Sequence, residues 1–305
     1  MNTGPTGWPV SWIFWQPHQR LWNWALVSAV ERAIPISAIH KPIVGMIMLV
    51  DTFFLFVRAV ARRSSALGVT KIFAKARTRD DVRILYFDLG THKEGAELAL
   101  MTNAILPRMC GDFEAFGFEA NPESFREVNE KFFGKRHVSV FHKAVCNAVP
   151  PQGKIRLYHD GRGGIGDSLH RPSDSFEDVE AVRLSDWLRE RNIVLGDRIC
   201  LLRMNIEGAE YDVLQDLVEN GLAAHIDGYY GMWDDISKTD IRRDAEFRVF
   251  LSRNDIRSFT FNGRDVKWRA RMKCIEYDMN SSVLAGLRRL DRRAAAAGGR
   301  AAPAT

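Results

Sequence analysis

The stretch Ile84-Leu-Tyr-Phe-Asp88-Leu-Gly90-Thr-His92-Lys-Glu94-Gly95 constrains this chain more than any other. A continuous apolar run ends in an acid, passes through a loop with two glycines and enters a helix-forming run, residues 96–105. Apolar runs without polar alternation belong to strands covered on both faces. Such a strand, followed by a glycine turn and a helix, reads as the opening unit of a parallel, nucleotide-binding α/β sheet. Gly90 allows a tight turn and close backbone approach to a ligand, and Gly95 lets the next helix sit close to the strand, because neither carries a Cβ. The next apolar strand also ends in an acid, Glu119, where a second strand presents a carboxylate to ribose hydroxyls. Pro122 then stands in a preferred first-turn position of a helix.

The spacing Asp-x-Gly-x-x-x-x-Gly is not the Gly-x-Gly-x-x-Gly dinucleotide pattern, and no Gly-Lys-Ser/Thr phosphate loop occurs. A strand-end carboxylate in place of a nest of amides suits a cofactor without phosphates and with a positive end, such as S-adenosyl-L-methionine. The bland alternative is an ordinary turn in which Asp88 caps the helix.

Alternating β and α segments over residues 81–286 predict an α/β fold, a mostly parallel doubly wound sheet with right-handed crossovers. The third strand is read at 138–145, an edge strand at 154–158, a flexible glycine loop at 161–168, and a short strand at 181–184 before a helix capped by Ser185. A buried strand at 198–205 leads into a helix at 211–219, followed by a fifth strand at 226–232 and a helix at 239–252. Two late strands, 257–261 and 272–277, close the sheet, the last of them antiparallel. Residues 287–305 read as a disordered basic tail.

With 305 residues, 46% of them hydrophobic, the chain can bury one substantial core plus an appendage. The four cysteines lie far apart, which argues against a disulfide framework or zinc site and suits a reducing compartment. Residues 1–80 carry ten Lys/Arg against three Asp/Glu, and the tail five Arg against Asp291, so the middle is acidic. That is the reverse of a nucleic-acid enzyme, whose catalytic face is basic. No Asn/Asp-Pro-Pro-Tyr/Phe base-methylation motif occurs either.

Residues 1–80 form a separate Trp-rich, apolar helical appendage, joined through the charged linker 74–81. Five of the eight tryptophans fall in its first 24 positions. The apolar run 43–57 contains Asp51 and falls short of the roughly 20 residues that span a bilayer. Nor does it have the order of a signal peptide. Three readings stay open for residues 1–73: a membrane-surface helix with tryptophan anchors and basic flanks, a helical cap on the catalytic domain, or, against the shortness of the run, a membrane span. The expected location is cytoplasmic, free or at the inner face of the membrane.

Phe87-Asp88-Leu89-Gly90, Gly95, Phe118-Glu119-Ala120-Asn121-Pro122, Ala144-Val145 and Asn205-Ile-Glu207-Gly208-Ala-Glu210 occur in this order. Over roughly residues 82–262 the set resembles the FkbM family of S-adenosylmethionine-dependent methyltransferases. The resemblance implies a Rossmann-like methyltransferase fold and O-methylation of a hydroxyl on a glycan, glycolipid or secondary metabolite. It implies a cofactor site built from Asp88, Gly90, Glu94, Gly95, Glu119, Ala120, Ala144 and Asn205. Asp88 would lie near the methionine end, Glu119 would accept both ribose hydroxyls, and residues 143–145 would border adenine. Removal of the hydroxyl proton needs a base, for which the candidates are Glu207, His92 and Asp234, with Asp235 beside it. Asp234-Asp235 with Asn205 could supply oxygen ligands to a magnesium-type cation, yet acidic pairs on loop tips are common and no metal is expected.

One departure stands out. The family has Asp where this chain has Asn205, which keeps the shape and one acceptor oxygen but loses the charge. That substitution motivates a second reading, a membrane-associated, non-catalytic binding protein on the same fold. A nicotinamide-dependent oxidoreductase is a third.

Overall fold

The chain divides into two compact units, Met1–Ile72 with Phe261–Tyr277 and Phe73–Thr260 with Asp278–Thr305. The computed structural model describes residues 82–161, 166–231, 233, 236, 240–256, 258–260 and 268–298, almost all in the second unit. The appendage, the linker, Asp234 and Asp235 lie outside the described residues.

The elements in order are β1 (Ile84–Leu89), α1 (Ala96–Leu100), a π-helical turn (Met101–Ile105), α2 (Leu106–Met109), β2 (Phe113–Glu119), α3 (Pro122–Phe132), β3 (Val138–His142), β4 (Ala144–Val145), β5 (Lys154–Tyr158), β6 (Phe176–Val182), α4 (Leu184–Glu190), β7 (Ile199–Met204), α5 (Glu210–Glu219), β8 (Gly228–Gly231), α6 (Ile241–Arg253), β9 (Ser258–Thr260) and α7 (Trp268–Gly298). Six strands form a sheet in the order β3-β2-β1-β7-β8-β9, and every pair in it is parallel. A small second sheet runs β4-β6-β5. The architecture is α/β with a Rossmann-like strand order.

Local chemistry explains the elements. All six residues of β1 and of β7 are buried, as continuous apolar runs require. Helix α3 begins at Asn121, whose side-chain oxygen accepts from the Ser124 N–H at 2.9 Å, with Pro122 in the first turn. The π turn precedes Pro107, which has no N–H to offer a carbonyl one turn back; the Leu106 N–H reaches Met101 instead. On one face of the sheet Trp187 of α4 packs edge-on against Phe87, Phe116, Phe118 and Phe141 from three strands, with ring centroids 5.1–6.4 Å apart. Helices α5 and α6 extend that core through Val213, Leu214, Leu217 and Phe247. Burial on this scale, at about 1.5–3 kcal/mol per large apolar side chain, holds the layers together.

Four expectations are corrected. Residues 138–145 are two strands, β3 in the main sheet and β4 in the small one, because the chain turns at Lys143. The strand before α4 is longer than expected, Phe176–Val182, and Arg183 rather than Ser185 stands at the helix start. The antiparallel last strand is replaced: residues 272–277 lie inside α7, and β9 pairs parallel with β8. The run from Trp268 contains no proline and is rich in Arg, Ala, Leu and Met, so helix propensity prevails over its scattered apolar residues. The tail expected to be disordered is helical as far as Gly298. Its Arg289 donates twice to Asp227, at 2.8 Å each, and to the Gly196 carbonyl, which anchors Ala-rich sequence that composition alone leaves unpartnered. Glycines let α7 approach: a Cβ on Gly286 would stand 2.8 Å from Ile199 of β7.

Candidate active site

The strand order reverses between β1 and β7, and in such sheets a crevice opens outside the carboxyl ends of the strands at that point. An open cleft lies there. Gly90 and His92 after β1, Glu119 to Asn121 after β2, residues 143–145 and Asn205 to Glu207 after β7 all line it. Leu157 of β5 and the residues Gly166, Asp167 and Leu169 complete the wall.

Glu119 sits in the middle of this wall, buried. Its Oε2 accepts from the His92 N–H at 2.6 Å and its Oε1 from the Asn121 N–H at 2.9 Å. The carboxylate thereby ties the end of β2 to the loop after β1. Burial pushes its pKa up to about 7, against the lowering effect of those two donors. Two acceptor positions remain for a ligand.

Asp88 takes its place in the core. It is fully buried and does not line the cleft. Register brings Asp88 opposite Arg203 of β7, and Arg203 Nη1 donates to Asp88 Oδ1 at 2.5 Å and to the Gly90 carbonyl at 2.8 Å. Arg203 Nη2 also lies 3.7 Å from Glu97 of α1. Burial pushes Asp88 up to about 6, with Arg203 opposing, and Arg203 itself is held above its ordinary range by Asp88 and Glu97. Beside the pair, the Tyr86 and Tyr230 hydroxyls stand 2.5 Å apart. Through Arg203, which bonds both Asp88 and the Gly90 carbonyl, Asp88 supports the glycine loop from beneath.

The glycines are explained by packing. Gly90 has φ +79°, and a Cβ there would stand 2.2 Å from the Asn205 carbonyl oxygen. The close approach is between two loops of the protein. A Cβ on Gly95 would meet Val128 of α3 at 2.7 Å, and neither Gly95 nor exposed Glu94 lines the cleft. Ala120 and Ala144 do line it.

Glu207 lines the cleft in a left-handed conformation, φ +54°. Glu210 holds that turn, accepting from the Ile206 N–H at 2.8 Å and the Gly208 N–H at 2.9 Å. The Glu207 carboxylate is paired with Arg171 at 2.7 Å, and Arg171 also donates to the Gly166 carbonyl. Ser168 donates to the Glu207 carbonyl at 2.8 Å, so Glu207 anchors the β5–β6 connection on both its main chain and its side chain. Asp167 fixes the other side of that connection. It accepts from Asn121 Nδ2 at 2.9 Å, His159 Nδ1 at 2.8 Å and the Asp160 N–H at 3.2 Å.

His92 has its Nε2 buried without a hydrogen-bond partner, and burial lowers its pKa, so the imidazole is neutral at pH 7. Asn205 is held by its main chain, the N–H donating to the Leu89 carbonyl at 2.9 Å, while its Oδ1 is buried and unpartnered.

Of the sequence-derived residues, Gly90, His92, Glu119, Ala120, Ala144, Asn205 and Glu207 come together at one cleft, and Asp88, Glu94 and Gly95 do not. Sequence reasoning missed Asn121, Asp167 and Arg171. The available signal was Asp167 in a glycine-rich hairpin connection, a polar residue in a loop that has to cover something. Among the described residues no group of His, Cys, Asp and Glu is arranged to hold a metal, and no helix is long and apolar enough to cross a membrane. Compared with known proteins, the chain matches no family model, and no curated protein is significantly similar to it.

Proposed function

We propose that this chain is an S-adenosylmethionine-dependent O-methyltransferase acting on a hydroxyl of a small-molecule, glycan or glycolipid acceptor. The observation that carries the reading is the buried Glu119 carboxylate at the end of β2, on the wall of an acidic switch-point cleft. Among the described residues three carboxylates line that cleft, Glu119, Asp167 and Glu207, against one ammonium, Lys143. A pyrophosphate would meet repulsion there, and the first residues of α1 do not line the cleft to offer it a helix N-terminus. That weighs against a nicotinamide dinucleotide and suits a nucleoside with a cationic end.

The residues fit the group in two further ways. Val145, Leu157 and Leu169 supply an apolar slot for a purine, and Glu119 has acceptor positions for ribose hydroxyls. The bound sulfonium supplies an already activated methyl, which leaves the protein to orient the acceptor and remove its proton. His92 suits the proton: it lines the cleft, and burial holds its pKa below the ordinary histidine value. Glu207, tied to Arg171, serves as an anchor of the cleft wall.

The test is calorimetric titration with S-adenosylhomocysteine and with NADH, on wild type and Glu119→Gln. Micromolar binding of S-adenosylhomocysteine, lost in the variant, is the expected result. Failure of the folded wild type to bind it, or preference for NADH, overturns the reading. Tight binding without transfer of labelled methyl to any hydroxylated acceptor favours the non-catalytic binding protein that Asn205 suggests.

A further inference from the structure

We infer that the end of the sheet opposite the cleft is a docking surface for an anionic membrane, with the cleft opening into water when the protein is docked. The inference is independent of the cofactor reading. In a parallel sheet the turns that lead into the strands lie at their amino ends, away from a crevice at the carboxyl ends. Here those turns are tied side by side. The Ala115 N–H donates to the His137 carbonyl at 2.8 Å, the Ile84 N–H to the Asp112 carbonyl at 3.1 Å and the Ile199 N–H to the Arg83 carbonyl at 2.9 Å. The end of α7 joins them, because Arg289 donates to the carbonyls of Gly196 and Arg198.

Charge and exposure both mark this end. Residues 82–83, 110–112, 133–137, 191–198, 220–227, 253–256 and 288–298 together carry ten Lys/Arg against five Asp and no Glu. Arg136, Arg288 and Arg292 are exposed, the last two one turn apart on α7. Among them stand two apolar side chains that pack against little of the protein. Phe133, opening the turn before β3, is 85% exposed, and Val194, in the turn before β7, is 60% exposed. An anionic bilayer accepts both features, since its headgroups take the cations and its interface takes the apolar tips. A nucleic acid would take the charge but has no apolar layer for an aliphatic tip such as Val194. The basic, Trp-rich residues 1–80 also reach the domain at this end, where the chain enters β1 at Ile84. The six residues of β1 hold the cleft about 20 Å from the docked end, so an acceptor meets it from the aqueous side.

Co-sedimentation of the full chain with lipid vesicles tests the inference. Wild type is expected to bind phosphatidylcholine vesicles that contain about one quarter phosphatidylglycerol, to ignore pure phosphatidylcholine, and to be released by salt. The triple variant Arg136→Gln, Arg288→Gln, Arg292→Gln should lose about tenfold or more in partition coefficient, since each cation near such a surface is worth about fivefold. Phe133→Ser should lose severalfold by removing the apolar tip. The same charge removed elsewhere, by Lys154→Gln, Arg156→Gln, Arg242→Gln, should leave binding within about twofold of wild type. Urea midpoints check that each variant is folded. Failure of folded wild type to bind the anionic vesicles overturns the inference. Binding unchanged in the first triple variant assigns it to residues 1–80 and overturns the inference too, as do equal losses in the two triple variants. Loss in the first triple variant with none in Phe133→Ser, or tighter binding to a DNA or RNA duplex than to vesicles, replaces the bilayer with a purely ionic partner.

Discussion

Replacing Arg203 by Met should expose how the glycine loop is supported. The substitution keeps the apolar stem but leaves Asp88, fully buried, without its cation. Removing one partner of a buried pair costs about 3–5 kcal/mol, because the remaining charge is neither solvated nor compensated. In wild type, burial already raises Asp88 to about 6 despite the Arg203 guanidinium, so without it the folded-state value rises further. A raised carboxylate stabilises the fold below its unfolded pKa, and that stability is lost as pH rises through the folded value. Wild type completes this loss near pH 6, whereas the variant goes on losing stability above it. The difference between the two should therefore open above about pH 6, with a limiting slope of about 1.4 kcal/mol per pH unit for one proton. Urea unfolding at intervals from pH 5 to 8.5 measures it. At pH 5 a deficit of about 1 kcal/mol should remain, for the lost hydrogen bond to the Gly90 carbonyl. Adding Asp88→Asn should return most of the loss at pH 8. A deficit that is constant across the range, or smaller than about 1 kcal/mol at pH 8, refutes the account.

Three further outcomes follow from the same geometry. Ribose hydroxyls donating to Glu119 favour its ionised form, so S-adenosylhomocysteine should bind more weakly as pH falls below about 7 and release protons on binding; affinity that is flat from pH 6 to 8 contradicts this. Gly90→Ala puts a Cβ 2.2 Å from the Asn205 carbonyl at φ +79° and should cost more than about 2 kcal/mol in urea unfolding while abolishing ligand binding. Asp216→Ala removes the acceptor of Arg183, Ser185 and Asn220 beneath α4 and should cost about 3–5 kcal/mol, with a neutral effect counting against that hub.

Much of the fold was legible because it is written in local patterns. Apolar runs at residues 84–89 and 199–204, each broken by a single charged residue, are strands buried on both faces, and Asn121-Pro122 is a helix start. Residues 272–277 read as a strand because short apolar clusters such as Cys274-Ile275 look alike in a strand and in one stripe of a helix. Periodicity over the whole run, and the Arg289–Asp227 contact far away in sequence, decide it.

The candidate site divides along the same line. The residues themselves determined that Glu119 ends a strand next to the first one, and that placement alone carries it to the cleft. Asp88 carried the same local signature and went elsewhere. In-register pairing sets Arg203, from a strand 115 positions on, directly across from it, and no period within either strand records that pairing. Likewise Asp167 and Arg171 join the wall only because the β5–β6 connection folds back onto Asn121 and Glu207. Local sequence determines which residues end strands and turn into loops, since those preferences act over a few bonds. Which of their charges face a ligand, and which cancel inside the protein, depends on neighbours that only the packed sheet brings together.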